Sequence, residues 1–327
     1  MKEGGFVVGV DLGGTNVRAG AVDRRGAVLA EAHRPTEVSR GTRRILHNLE
    51  LVAAEAVRRA EQAGGTLLAV GAGAPGPIDK STGVIHDAPN IPQWKRFPLR
   101  ARLGAVFPCP VFVENDANAA TLGEGWVGAA RGKKDFIMLT LGTGIGGGVV
   151  SAGRLVRGAR GMAGELGHVV VEAGGPRCNC GGRGCIEAFA SATGIKRLLR
   201  KRLRGRERLR AYTDARGKID VALIHRAAEA GDRVARETFR RAGSYLGVAI
   251  AGLINIFNPE LVVVGGGVAA AWDFLIPAAR KEIARQAFPL PARLATIAPA
   301  KLGQSAGWLG AAYVAWQALD EPAFGEP

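Results

Sequence analysis

Phe6-Val7-Val8-Gly9-Val10-Asp11-Leu12-Gly13-Gly14-Thr15-Asn16 decides how this chain is read. Residues 6 to 11 are an apolar β-run, Gly13-Gly14 is a turn, and strand-like residues resume near 16 to 22. A third strand follows near 27 to 33, after a turn at Asp23 to Gly26. Glycine accepts φ above zero and lets successive N–H groups converge on one point. A strand, glycine turn, strand unit therefore predicts positive φ in the turn and an anion-binding nest, to which Thr15 adds a hydroxyl. The same grammar returns at Phe136 to Leu141, Gly142-Thr143-Gly144, Gly147 to Ser151 and Arg154 to Val156. Two copies in a chain of 327 residues predict a duplicated α/β unit with a cleft between the copies.

Outward from these turns, Ile45, Leu46, Leu49, Val52, Ala53, Ala56, Val57 and Ala60 make one apolar face of a helix over 42 to 63, stopped by Gly64-Gly65. Strands at 67 to 71 and 111 to 114 and a helix at 117 to 127 complete the first copy. In the second, a long helix over 232 to 257 ends at Asn258-Pro259, and the strand 261 to 264 runs into Gly265-Gly266-Gly267. A last helix near 305 to 319 is expected to pack back on the first half. The expected domains are a small one, 1–117 plus 305–327, and a large one, 118–304.

With 47% hydrophobic residues the chain can bury a large core. The start shows no basic segment followed by an apolar run, so no secretory signal is read. Asn255, Asn258, Pro259, Glu260 and Asp273 interrupt the apolar region 245 to 279, so no membrane span is expected and the location should be cytoplasmic. The net charge of +15 is concentrated: positions 196 to 210 hold nine Lys or Arg against Glu207 alone. Ile195, Leu198, Leu199 and Leu203 recur there at helical spacing, which reads as a solvated helix face, with attraction of polyphosphate or nucleic acid as the alternative. No aromatics are interleaved to stack bases, so no specific nucleic acid partner is expected.

The chemistry lies in four motifs. No G-x-x-x-x-G-K-[ST] loop is present, so any phosphates fall to the two glycine turns. G-x-G-x-x-G occurs at Gly71/Gly73/Gly76 and Gly142/Gly144/Gly147, but neither opens a helix, which sets a dinucleotide fingerprint aside. Glu114-Asn115-Asp116 puts an amide and a carboxylate at a strand's carboxyl end, where open α/β sheets bind ligands. Asp116 there either caps the next helix or takes a proton from an attacking hydroxyl. His168, nine residues, Cys178-x-Cys180, four residues and Cys185 give one nitrogen and three sulfurs. That is a closed tetrahedral set for a structural zinc. Glu165 and Glu187 flank it as acceptors suited to sugar hydroxyls. Cys109, between two prolines, reads as a small packed hydrophobe. Together these features predict phosphoryl transfer to a sugar.

Asp11-Leu-Gly-Gly-Thr-Asn, Ala74-Pro-Gly-Pro, Glu114-Asn-Asp-Ala-Asn, Leu141-Gly-Thr-Gly-Ile-Gly-Gly-Gly, Gly164-Glu-Leu-Gly-His and Cys178-Asn-Cys-Gly-Gly-Arg-Gly-Cys-Ile-Glu together resemble the ROK family of repressors and sugar kinases, and most closely its bacterial ATP-dependent glucokinases. The resemblance runs essentially end to end. It implies an α/β, two-domain, actin/hexokinase/Hsp70-like (ribonuclease H-like) duplicated fold with an interdomain cleft. It also implies that Asp116 is the catalytic base, transferring the γ-phosphate of ATP to a hexose, glucose being favoured. Asn115, Glu165, His168 and Glu187 match sugar-binding positions, and Asn90, in Pro89-Asn90-Ile91-Pro92-x-Trp94, resembles a further one. Asp11, Gly13, Gly14, Thr15 and Asn16 resemble the first phosphate and Mg²⁺ segment, Gly142, Thr143 and Gly144 the second, and Gly265, Gly266 and Gly267 the adenosine end. His168 would then serve both Zn²⁺ and sugar. A homodimer or homotetramer is implied. Kinases for N-acetylmannosamine, N-acetylglucosamine or fructose, a polyphosphate-using glucokinase, and a sugar-sensing regulator without its own DNA reader share these motifs.

Overall fold

The computed structural model describes residues 4–203 and 207–320. Residues 1 to 3 of the start, where no secretory signal is read, the basic residues Arg204 and Arg206, and the stretch 321 to 327 lie outside the described residues. The chain divides into two compact units, residues 1–132 with 155–164 and 301–327, and residues 133–154 with 165–300.

The first unit opens with β1 (Gly5–Leu12), β2 (Asn16–Val22) and β3 (Val28–Pro35), an antiparallel meander, followed by α1 (Thr42–Gln62) and β4 (Thr66–Ala74). A small antiparallel sheet of β5 (Ile78–Asp79), β6 (Val84–Asp87) and β7 (Lys95–Pro98) comes next. Then follow α2 (Leu99–Gly104), β8 (Val111–Asn115) and α3 (Asp116–Val127). β4 runs parallel to β1 and β8 parallel to β4, so the five-stranded order is β3-β2-β1-β4-β8. One face is covered by α1, whose Ile45, Leu49, Val52, Ala53, Ala56 and Ala60 are buried at the predicted spacing.

The second unit repeats this plan with β9 (Phe136–Leu141), β10 (Ile145–Ser151) and β11 (Arg154–Leu155). The helices α4 (Glu187–Ala190), α5 (Ala192–Arg202), α6 (Val221–Glu229) and α7 (Arg233–Phe257) precede β12 (Leu261–Gly265). After it come α8 (Trp272–Gln286), α9 (Pro289–Leu294) and β13 (Thr296–Pro299). The order β11-β10-β9-β12-β13 repeats that of the first sheet strand for strand, an antiparallel hairpin followed by parallel strands. This is the duplicated α/β architecture that the two glycine turns predict.

Asp232 starts α7 by accepting the Ala235 N–H at 2.7 Å, and the helix ends with Asn258 at φ 44°, ahead of Pro259. Asn tolerates that left-handed conformation and the proline prevents continuation. Among the described residues no helix is long and apolar enough to cross a membrane.

The chain returns to the first unit through α10 (Ala306–Asp320), whose Trp308, Leu309, Ala312, Ala315 and Trp316 are buried with Val7, Val22 and Ala69 of the sheet. Contact is at backbone level. A Cβ on Gly9 would lie 1.8 Å from the Trp308 carbonyl oxygen, and one on Gly71 1.8 Å from that of Ala311. Gly71 of the apparent dinucleotide motif is thus a helix-packing residue inside β4.

The expected boundary at 117 moves to 132 because α3 packs along α10: a Cβ on Gly310 would meet the Ala119 carbonyl at 1.5 Å. Residues 155–164 also join the first unit, where the Arg157 Nε donates to the Glu114 Oε2 at 2.9 Å. Glu124 of α3, fully buried, holds the incoming chain. Its carboxylate accepts the N–H groups of Lys301 (2.9 Å), Leu302 (2.8 Å) and Ala129 (2.6 Å). Glu124→Gln would point an amide donor at these donors. We expect it to cost about 2–4 kcal/mol, read as the shift in a urea unfolding midpoint, whereas an unchanged midpoint would mean the anchor is energetically idle.

Candidate active site

Asp11, Gly73 and Glu114 are cross-strand neighbours at the carboxyl ends of the parallel strands β1, β4 and β8. In open α/β sheets this is where ligands bind. From this edge leads the first glycine turn, closed by the Gly13 N–H donating to the Asn16 carbonyl at 3.0 Å. Buried Thr36 pins it from outside, its hydroxyl donating to the Gly13 carbonyl (2.7 Å) and its N–H to that of Thr15 (2.8 Å). Thr15 and Asn90 are exposed, and a Cβ on Gly14 would come within 3.1 Å of the Asn90 Cβ.

One expectation is corrected here. None of Gly13, Gly14, Gly142 and Gly144 has a positive φ. Crowding constrains three of them: a Cβ would lie 3.0 Å from the Asn16 carbonyl oxygen at Gly13, 3.1 Å from the Asn90 Cβ at Gly14 and 2.4 Å from the Glu187 Oε2 at Gly144.

Asp11, next to last in β1, is half-buried, with Gly307 of α10 close enough that a Cβ there would lie 2.6 Å from its carboxyl carbon. Burial lifts its carboxyl from the usual 3.8 to about 6, partly opposed by Arg18. The folded state therefore holds a proton that the unfolded chain releases. Stability falls as pH rises through the window between those values, and the charged form is disfavoured above it. Asp11→Asn should raise stability at pH 7.5 by about 1–2 kcal/mol, allowing for partial exposure, and leave it unchanged at pH 3.5. Melting curves at the two pH values check this; equal shifts at both would remove the titration as the cause.

Asn115 and Asp116 sit where β8 passes into α3. The cap of α3 is Asn115, whose Oδ1 accepts the N–H groups of Ala117 (2.9 Å) and Asn118 (3.1 Å) and whose Nδ2 donates to the Gly76 carbonyl (3.2 Å). Asp116 is the first helical residue, half-buried, and its Oδ1 accepts the Ala117 N–H at 2.8 Å. Capping thus explains Asn115 and does not explain Asp116. Glu114, buried, is tied by Arg157, by the Asn118 Nδ2 (3.2 Å) and by the Asn115 N–H (3.1 Å).

In the second unit the Gly142 N–H donates to the Gly144 carbonyl (2.9 Å), and the Ala192 N–H and Thr193 hydroxyl donate to the Gly142 (2.8 Å) and Thr143 (3.0 Å) carbonyls. Gly265 pairs with Thr140 in the sheet, so Gly265, Gly266 and Gly267 leave β12 beside this turn. Gly266 has φ +87°, and a Cβ on it would lie 2.4 Å from the Leu141 carbonyl.

The His/Cys set is assembled. The ligand atoms of His168, Cys178, Cys180 and Cys185 lie within 4.8 Å of one another. Cys178 Sγ is 3.6 Å from His168 Nδ1, and Cys180 Sγ 3.7 Å from Cys185 Sγ. Zinc bonds of ~2.3 Å to sulfur and ~2.0 Å to nitrogen give tetrahedral edges of ~3.6–3.8 Å, so the donors fit zinc. Without metal, burial pushes the Cys178 thiol up to about 12 and raises Cys185, while the Gly182 N–H draws exposed Cys180 down.

With Nδ1 turned to the sulfurs, the His168 Nε2 is 3.8 Å from the exposed Glu165 carboxylate. Glu187, opening α4, joins the cluster to the glycine turn: its Oε2 accepts the Ile145 N–H at 2.9 Å and its Oε1 faces Cys178 Sγ at 3.4 Å. Cys109 packs against the first unit's core, as expected, its thiol raised by burial.

The structure thus gathers Asp11, the first turn, Asn90, Asn115 and Asp116 in one unit. It gathers the second turn, Gly265 to Gly267, Glu165, His168, Glu187 and the cysteines in the other. Sequence reasoning missed Thr36, Arg157 and Glu124, whose partners lie 23, 43 and 177 residues away.

The chain is similar over nearly all of its length to known proteins. The chain is 42% identical over 310 residues, covering 94% of it and 96% of the relative, to a glucokinase of Thermotoga maritima. The ROK hexokinase of Thermus thermophilus is 38% identical with a TM-score of 0.80, over 97% of this chain and 100% of that one. A ROK family glucokinase of Streptomyces griseus, solved with glucose and AMPPNP, is 35% identical with a TM-score of 0.79, over 95% and 99%. The ROK family model itself matches residues 7–318, and the chain belongs to that family.

Proposed function

We propose that this protein is an ATP-dependent glucokinase that transfers the γ-phosphate of MgATP to the 6-hydroxyl of glucose, with Asp116 as general base. The observation that carries the reading is the edge formed by Asp11, Gly73 and Glu114, with Asp116 beside it in a position that helix capping does not require. Its likeness to glucokinases over nearly its full length supports the choice of sugar.

In this reading the Asp116 carboxylate takes the proton of the sugar hydroxyl as it attacks phosphorus. Asn90, Asn115, Glu165, His168 and Glu187 orient the sugar through its hydroxyls. Gly13, Gly14 and Thr15, with Gly142, Thr143 and Gly144, offer amides and hydroxyls to the phosphates. Asp11 and Asn16 take the magnesium side, and Gly265, Gly266 and Gly267 receive the adenosine. His168, Cys178, Cys180 and Cys185 would hold a zinc ion, which would supply rigidity when bound, since four protein ligands leave no position for reacting water. The raised Asp11 carboxyl is consistent with a group meant to face a cation, because charge beside it favours ionisation. The enzyme works in the cytoplasm as a homodimer or homotetramer in this proposal.

ADP release should be fastest with glucose in a panel of MgATP with glucose, mannose, fructose, N-acetylglucosamine and N-acetylmannosamine, beside a polyphosphate-only reaction. Preference for another sugar would reassign the acceptor, and turnover with polyphosphate alone would reassign the donor. No turnover with any of them would remove the kinase reading in favour of a sugar-sensing regulator.

A further inference from the structure

A cavity of about 630 Å³ lies on the second unit behind the cysteine cluster, walled by the loop from Glu172 to Pro176, by α5 and by α7. Its floor is the stacked pair Phe189 and Tyr245, with ring centroids 3.9 Å apart. Phe189 packs with Cys178 and Cys185 in one small core. Five cations line the space, Arg183, Arg197, Lys201, Arg202 and Arg241, against the single carboxylate of Glu172.

Among the described residues only Arg202 of these five has an ion pair, with Glu237 at 3.1 Å. The others that bond do so to neutral groups. Arg183 donates to the Gly175 carbonyl (3.2 Å), Arg241 to the Tyr245 hydroxyl (3.5 Å), and Arg197 to the Arg177 (3.3 Å) and Ala188 carbonyls. Arg197 and Arg241 also sit over the two rings, 5.9 and 5.8 Å from the Phe189 and Tyr245 centroids.

Like charges gathered around a concave, partly dry space raise each other's energy and focus a positive potential into it. Guanidinium forks bind phosphate oxygens in pairs, and the volume falls in the range of small-molecule sites. We propose that this cavity is a binding site for a compact, multiply charged phosphate ester, separate from the residues assigned to ATP and sugar. Phosphate groups engage Lys201, Arg241 and Arg183, and the ring pair supports the body of the ligand. Arg197 stands behind them, spanning the carbonyls next to Cys178 and Glu187, so occupancy braces the cysteine loop from the side opposite the glycine turn. The basic helix face at 196 to 202 then has a recognition role as well as a solvated one.

The test is calorimetric titration of fructose bisphosphate into the zinc-loaded protein saturated with glucose, magnesium and AMPPNP, with sulfate as a charge control. One saturable site is expected, weakened about tenfold or more in Lys201→Gln and in Arg241→Gln. Both variants should keep wild-type melting temperatures and glucose turnover. Dependence on Lys201 and Arg241 locates the binding whether or not glucose and nucleotide bind. Absence of saturable binding, equal affinity in the variants, or sulfate binding as tightly would overturn the proposal. Displacement of the ester by a single-stranded oligonucleotide of higher affinity would overturn it in favour of a polymer-binding surface.

Discussion

Asp116→Asn is expected to lower kcat by roughly 10²- to 10⁴-fold while glucose affinity stays close to wild type. Asparagine keeps the size of the side chain and an oxygen able to accept the Ala117 N–H, and the cap of α3 belongs to Asn115. Helix and strand end should therefore persist. What is lost is basicity alone, because an amide cannot take the proton of the attacking hydroxyl. The comparison needs kcat, a binding isotherm for glucose and a melting curve on the same preparation. Weak glucose binding by the variant would make Asp116 a binding residue, and unchanged turnover would assign the proton to another group.

Removing the metal is expected to act nearly as strongly, by a different route. Cys180 is exposed, so Cys180→Ser sacrifices little packing, and any large loss reports the missing ligand. Cys178 and Cys185 are buried beside Phe189, and Glu187 reaches from Cys178 to the Ile145 N–H. Loss of zinc should loosen His168 and Glu187 together, lowering glucose affinity about tenfold or more along with the melting temperature. Zinc must displace protons from thiols that burial raises at Cys178 and Cys185, so its affinity should fall as pH falls. Measured zinc loss with glucose affinity retained would separate the cluster from the sugar.

Much of this was legible in the chain because the signals are local. The hairpin turns, the end of α7 at Asn258-Pro259 and the spacing from His168 to Cys185 each lie within a few turns of chain, where residue type and conformation are directly linked. For the turn glycines the sequence suggests φ as the cause, whereas a Cβ on Gly144 would meet Glu187; Gly9 and Gly71, to which the sequence gives no such role, are bare because α10 arrives there. Sequence names the small residue but not its visitor. The same holds for Glu124, Thr36 and Arg157, ordinary polar residues until distant backbone meets them. β5, β6 and β7 escaped notice because strands of two to four residues carry too little alternation to register.

The docking of α10 against bare glycine positions of β1 and β4 has a consequence for the order of events at the ribosome. β1 ends at Leu12 and the helix that covers it starts at Ala306. At ~5–20 residues per second, β1 waits roughly 15–60 s for that cover. By the end of this interval every strand of the second sheet has been made, while Val7, Val22 and Ala69 still lack the helix that buries them. The half of the molecule written first is the half completed last, and that delay is when its apolar sheet is open to aggregation or to a chaperone.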